Sequence, residues 1–202
     1  MVSGDSFSGV ILSEAKDLLF PPHESSIRLI EIEEGRTIGE KRNFGCERAA
    51  GEIIAHWDDD DFSAPDRLAD QLTRLQSSGK SVTGYSSMYF ARNPSLPQSR
   101  DRQGAVAYPL DWWLFHCSPT QVIGSSLFYR KSWWKEHPFP AKQVGEDSDF
   151  SRMAAQSNQL VSSKAGFLMI ATVHEGNTSP RNLSGYKRVP DFPGIAGLEF
   201  PQ

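Results

Sequence analysis

Apolar positions along the chain come in short runs whose spacing switches between two and about three and a half, the mark of strands alternating with helices. Residues 27–32 (Ile-Arg-Leu-Ile-Glu-Ile) alternate and predict a strand. After a turn at Gly35, the stretch 39–50 has few β-branched residues and predicts a short helix ended by Gly51. Glu52-Ile-Ile-Ala-His-Trp57 then reads as a buried strand running straight into four aspartates. A strand, a helix and a second strand in this order predict a parallel sheet with crossover helices. Ser63 suits an N-cap, Pro65 a first helical turn, and Leu68, Leu72 and Leu75 mark one face of a helix closed by Gly79. Further strands are predicted at 81–90, 105–109 and 124–130, with a polar loop at 93–103. A second helix starts near Glu146, with Phe150, Met153, Ala154 and Ser157 facing one way, and a last strand covers 166–173.

The ends of the chain carry weaker patterns. Residues 1–26 are polar, close on Pro21-Pro22 and hold one amphipathic stretch at 10–20, so they read as an arm. Residues 27–188 form the expected domain, and 189–202 an extended tail rich in Pro and Gly. No internal repeat or low-complexity segment interrupts this plan.

A length of 202 residues suffices for one sizeable core. With 21 Lys and Arg against 25 Asp and Glu, the net charge is -4, and no basic stripe offers itself to phosphates, which argues against a nucleic-acid partner. Two cysteines, Cys46 and Cys117, are too few for a disulfide framework or a zinc knuckle and favour a reducing compartment. The apolar run 167–173 is about a third of what a spanning helix needs, and the N-terminal stretch is broken by Glu14, Lys16 and Asp17. The expected location is cytoplasmic, with peripheral contact at the inner membrane left open.

The strongest chemical signal is Trp57-Asp58-Asp59-Asp60-Asp61-Phe62. Adjacent carboxylates repel one another and call for a cation or solvent. In an extended chain Asp58 and Asp60 point to one side and offer hard oxygens to Mg²⁺ or Mn²⁺, with water and substrate phosphates completing the shell. The position beyond the end of a strand is where open α/β sheets bind ligands. The plainer reading is a solvated acidic helix entry, since Asp61 and Asp66 suit the positive end of the following helix. An EF-hand is excluded, because Ser63 and Ala69 stand where its loop needs Gly and Glu.

The run from Gly35 to Asp61 resembles the central block of family 2 glycosyltransferases. It contains Arg42-Asn43, Ala50-Gly51-Glu52 and the D-x-D pair Asp58 and Asp60 in the family's order. The resemblance extends over 27–188 and implies an α/β fold of the GT-A kind, Rossmann-like, with a mainly parallel sheet flanked by helices. It implies that Asp58 and Asp60 hold a divalent cation, Mn²⁺ or Mg²⁺, on a nucleotide diphosphate sugar. Arg42, Asn43 and Asp59 would line the donor site, although Arg42 equally suits a surface ion pair. Gly145-Glu146-Asp147-Ser148-Asp149 resembles the family's E-D motif, which makes Asp147, with Glu146, the base. A first-turn carboxylate is stabilised as the anion by unpaired backbone N–H groups and can accept a hydroxyl proton. His174, directly after the last strand, matches a position that completes the metal or diphosphate site, and a capping or surface role is the alternative. His56 reads as structural. The pairs Trp112-Trp113 and Trp133-Trp134 offer rings for stacking on a sugar, with core packing as the default. Residues 124–130 resemble the strand before the acceptor helix.

The family ordinarily begins with two further strands that grip the nucleobase and ribose. No matching apolar pair occurs in 1–26, so the expected fold is N-terminally incomplete, with an apolar sheet edge open to self-association. The resulting expectation is an inverting, hexosyltransferase-like enzyme acting on a saccharide or lipid-linked hydroxyl. The alternatives are a non-catalytic remnant or nucleotide- or carbohydrate-binding module, a nucleotidyltransferase, which would need a Gly-rich phosphate loop, and a two-metal nuclease or phosphatase.

Overall fold

The computed structural model describes residues 30–32, 34–92, 111–118, 120–173 and 185–189. The expected features at 10–20, 93–103 and 105–109, the tail after Pro190 and His174 lie outside them. Of the expected strand 27–32, the described residues 30–32 are irregular.

Helix α1 is Ile38–Arg48. Its start is set by a capping box: the Thr37 hydroxyl accepts from the Glu40 N–H, and the Glu40 carboxylate accepts from the Thr37 N–H at 2.8 Å. It ends at the extended Ala49, before the expected Gly51. Strand β1, Ile53–Ala55, leads into the aspartate turn, and the two-residue β2, Phe62–Ser63, leaves it.

Ser63 therefore lies in a strand and is not the N-cap of helix α2, which is Arg67–Ser78 with Asp66 at its cap. Gly79 closes α2 in the left-handed conformation, as expected. The buried face differs from the leucine stripe. Arg67, Gln71 and Leu75 face inward at a spacing of four, and Leu68 is exposed. A polar pair took the core positions because backbone carbonyls await it there.

The expected strand 81–90 is two strands, β3 at Val82–Tyr85 and β4 at Ser87–Arg92. Between them the Ser86 N–H donates to the Ser163 carbonyl, and the chain crosses from one sheet to the other. Strand β5 is Asp111–His116. The segment expected as strand 124–130 opens with a 3-10 turn, Gly124–Ser126, before β6, Phe128–Arg130. A short helix α3, Lys131–Glu136, and helix α4, Glu146–Gln156, follow. Strand β7 is Leu160–Ser163, β8 is Met169–Val173 after a 3-10 turn, and β9 is Lys187–Val189.

One sheet has the order β1-β6-β3-β7 and the other β2-β8-β4-β5-β9. The expected mainly parallel pairing is mixed. Only β3 with β7 and β4 with β8 pair in parallel among the described strands. The reason is that β6 enters antiparallel between β1 and β3, which themselves run the same way. The α/β architecture, sheets flanked by helices, is as the sequence predicts.

Two large apolar clusters hold these layers. One packs α1, α3 and α4 on the first sheet through Cys46, Ile54, Leu127, Tyr129, Trp134 and Phe150. The other fills the second sheet around Met88, Phe90 and Met169. Among the described residues no helix is long and apolar enough to cross a membrane.

Candidate active site

The C-terminal end of β1, the turn Gly124–Ser126 and the first turn of α4 meet at one edge of the first sheet. The His56 N–H donates to the Leu127 carbonyl at 2.8 Å, which ties the residue before Trp57 to the strand after Gly124. The aspartate turn closes with the Asp61 N–H on the Asp58 carbonyl at 3.3 Å. The Asp61 carboxylate accepts from the Thr172 N–H at 3.0 Å, so the fourth aspartate anchors the turn to β8. Asp58 is half-buried, while Asp59 and Asp60 are exposed. The turn's solvent side thus carries two or three hard oxygen donors, a suitable partial set for Mg²⁺ or Mn²⁺. Among the described residues, no three His, Cys, Asp or Glu side chains converge into a metal-holding group.

The Asp147 carboxylate lies directly on the backbone of Gly124. A Cβ built on that glycine would fall 1.9 Å from Asp147 Oδ2 and 2.8 Å from its Cγ. The other oxygen, Oδ1, accepts from the Ser148 N–H at 2.6 Å. Gly145 precedes the helix with φ 84°, a left-handed value that glycine adopts without strain and that turns the chain into α4. These constraints hold the carboxylate in one place.

Glu146, the neighbour of Asp147, is buried. It pairs with Arg42 of α1, Nη2 to Oε1 at 3.3 Å, and both side chains are largely hidden from solvent. Arg42 also brings Nη1 to 3.1 Å from His56 Nδ1 and lies over the Phe139 ring. Burial raises the Glu146 carboxyl above its ordinary range, Arg42 opposes that rise, and Asp147 adds to it. Arg42 thus pairs with a carboxylate, as the plainer reading expects, but the pair is largely hidden from solvent and links α1 to α4.

His56 sits beneath this link. Nδ1 is 3.0 Å from the Gly124 carbonyl and Nε2 is 3.1 Å from the Tyr129 hydroxyl. Nδ1 thus faces the Gly124 carbonyl, which can only accept, and the Arg42 guanidinium, which can only donate, while Nε2 meets the Tyr129 hydroxyl, which can do either. Burial first, and then the Arg42 charge, hold its pKa well below the usual histidine value, in keeping with a structural role.

Asn43 turns inward. Its Nδ2 donates to the Phe139 carbonyl at 2.8 Å, and its Oδ1 accepts from the Phe139 N–H and from Trp134 Nε1. The amide latches α1 to the segment before α4. Trp133 and Trp134 are buried, Trp133 stacking on His137, and Trp112 is buried in β5, so these three rings pack the core. Cys117 donates its thiol to the Ser86 and Gln121 carbonyls, and burial pushes it up to about 11, which makes it a poor nucleophile.

The structure therefore groups Arg42 and Glu146 through direct contact and places Asp147 on Gly124. Asp58, Asp59 and Asp60 lie on the adjoining turn. Gly124 and Arg67 were not among the residues the sequence singled out. A glycine opening a strand-like segment gives no sign that a carboxylate occupies its missing side chain.

Comparison with known proteins bears on the family and the fold. A family profile for glycosyl transferase family 2 matches residues 5–137, beginning inside the stretch expected as an arm. No curated protein matches by sequence. Among solved structures, S. aureus TarS 1-349 in complex with UDP-GlcNAc is similar, with a TM-score of 0.50 and 21% identity over 70% of this chain and 40% of that one. The same protein in complex with UDP gives a TM-score of 0.47 and 22% identity, covering 68% and 40%. The chain spans about two fifths of the length of these structures. The likeness to the UDP-GlcNAc complex shows a shared GT-A fold. With two thirds of its length matched by the family profile, the chain belongs to glycosyl transferase family 2.

Proposed function

We propose that this chain carries the catalytic apparatus of a divalent-metal-dependent glycosyltransferase that moves a sugar from a nucleotide diphosphate sugar to a hydroxyl acceptor with inversion. The observation that carries this reading is the Asp147 carboxylate fixed on the Gly124 backbone, beside the strand end that feeds the aspartate turn. A base must be held within hydrogen-bond reach of the proton it takes, and a carboxylate with one oxygen on a backbone N–H and no room to swing inward meets that need. In a single displacement Asp147 accepts the acceptor's hydroxyl proton as its oxygen attacks the anomeric carbon and the nucleoside diphosphate leaves. Glu146 and Arg42 keep α4 in register with α1. Asp58 and Asp60 would hold Mn²⁺ or Mg²⁺, which supplies charge neutralisation on the departing diphosphate. Asp59, exposed on the same turn, would contact the donor, and His174 follows β8 directly in sequence. The similarity to a TarS structure that contains UDP-GlcNAc supports a UDP-sugar as the first donor to try.

Calorimetry of the chain with UDP and other nucleoside diphosphates, with and without Mn²⁺, tests the donor site. Metal-dependent binding lost in both Asp58→Ala and Asp60→Ala supports the proposal. Binding of nucleotide without turnover, unchanged in Asp147→Asn, would instead mark a non-catalytic binding module.

A further inference from the structure

The largest fully buried side chain in the described structure is a cation, Arg67, and the site chemistry above makes no use of it. A buried guanidinium is costly unless its donors are satisfied. Here Nη2 donates to two carbonyls, His56 at 2.7 Å and Ser125 at 2.8 Å. Nη1 donates to the Ser63 hydroxyl at 2.9 Å and Nε to Gln71 Oε1 at 3.2 Å, while the plane lies over the Trp57 ring at 4.9 Å. Gln71, one helical turn on, donates to the Ser126 carbonyl at 2.6 Å.

The sequence positions of these partners give the arrangement its meaning. His56 and Trp57 immediately precede the four aspartates, Ser63 stands two positions after the last of them, and Ser125 adjoins the glycine that seats Asp147. One planar group thus grips the chain on both sides of the aspartate turn and fastens it to the floor beneath Asp147. Burial pulls the guanidinium down to about 10, and Tyr85, Asp58 and Asp61 act against that fall, so it stays charged at neutral pH beside the turn.

We infer that Arg67 is a positioning residue that holds the Asp58 to Asp61 turn in shape from beneath, so that its carboxylates meet a divalent cation already arranged. The inference rests on the metal reading for its functional consequence, but its structural claim stands apart. Charge and geometry predict opposite results. A nearby positive charge repels a metal ion, so if charge dominated, the neutral Arg67→Met would bind Mn²⁺ more tightly. If the fork geometry dominates, Arg67→Lys, which keeps the charge but not the planar five-donor group, binds Mn²⁺ more weakly than the wild type.

The test uses the full chain and two readouts. Hydrogen exchange of the segment 57–62 reports the turn itself, and titration with Mn²⁺ in the presence of UDP, followed by electron paramagnetic resonance, reports the cation. Arg67→Lys is compared with Ser63→Ala, which removes one acceptor and keeps the guanidinium, so that a folding failure of the lysine variant leaves a second measurement. Faster exchange confined to 57–62 in either variant, with weakened Mn²⁺ binding, supports the inference. Exchange as in the wild type in both variants overturns it, whatever the metal does. Wild-type protein that binds no Mn²⁺ with UDP defeats the metal reading, and the exchange data still decide the role of Arg67.

Discussion

Substituting Gly124 by Ala should displace Asp147, the proposed base, while leaving the fold in place. The backbone of Gly124 is outside the left-handed region, so alanine fits its conformation. The obstacle is the carboxylate, because the new methyl would lie 1.9 Å from Asp147 Oδ2 where ordinary contact starts at 3.4 Å. Asp147 must retreat by about 1.5 Å, and since its Cγ and Cβ would also be crowded at 2.8 and 3.0 Å, rotation of the carboxylate alone does not relieve the clash. Misplacing a reacting group by about 1 Å costs on the order of 100-fold, so kcat should fall by about 10² and the barrier rise by about 2.7 kcal/mol. Overpacking should add about 1–3 kcal/mol of instability, readable as a lowered Tm. The assay is nucleoside diphosphate release with an acceptor that the wild type uses, and the donor KM should stay constant. In an Asp147→Asn background the same substitution should have no further effect on kcat. A Gly124→Ala enzyme with kcat within threefold of wild type, or a second loss on top of Asp147→Asn, would refute the seating argument.

Asn43→Ala removes an amide engaged by Phe139 and Trp134 and should cost about 2–3 kcal/mol in chemical denaturation, with nucleotide affinity unchanged if the residue is only a latch. Gly39→Ala would set a Cβ 1.9 Å from the Pro140 carbonyl oxygen, and denaturation should show a loss of about 3 kcal/mol as α1 is pushed from the segment leading to α4. Glu146 has a folded pKa above its ordinary 4.5, so the stability it contributes is complete below that value and declines as pH rises through the folded pKa. Denaturation of Glu146→Gln from pH 4.5 upward should therefore lack that decline, and parallel pH profiles for variant and wild type would contradict the burial argument.

The parts of the fold that were legible in the sequence are those written locally. The strand before the aspartates, the Gly79 stop and the start of the last helix at Glu146 rest on neighbours within one or two turns. Misread positions depend on partners far along the chain. Ser63 looks like an N-cap, but β8 pairs with it through Met169 and draws it into a strand. Arg67 and Gln71 look like solvent positions because nothing nearby shows that carbonyls of 56, 125 and 126 converge there. The same holds at the site. Types and order of the carboxylates were readable, while the link from Arg42 to Glu146 and the seat of Asp147 on Gly124 join residues about a hundred and about twenty positions apart.

The antiparallel insertion of β6 has a consequence for how the chain acquires its site during synthesis. Among the described strands β1 pairs only with β6, Ile53 standing opposite Arg130. The segment that delivers the aspartates thus leaves the ribosome well before the strand that fixes it. Contacts so distant in sequence form slowly, and an apolar strand waiting for its partner is open to association with other chains. Nascent chains stalled before residue 128 should therefore need chaperone cover, whereas those released past β6 and α4 can bury β1 and assemble both carboxylate groups in the same step.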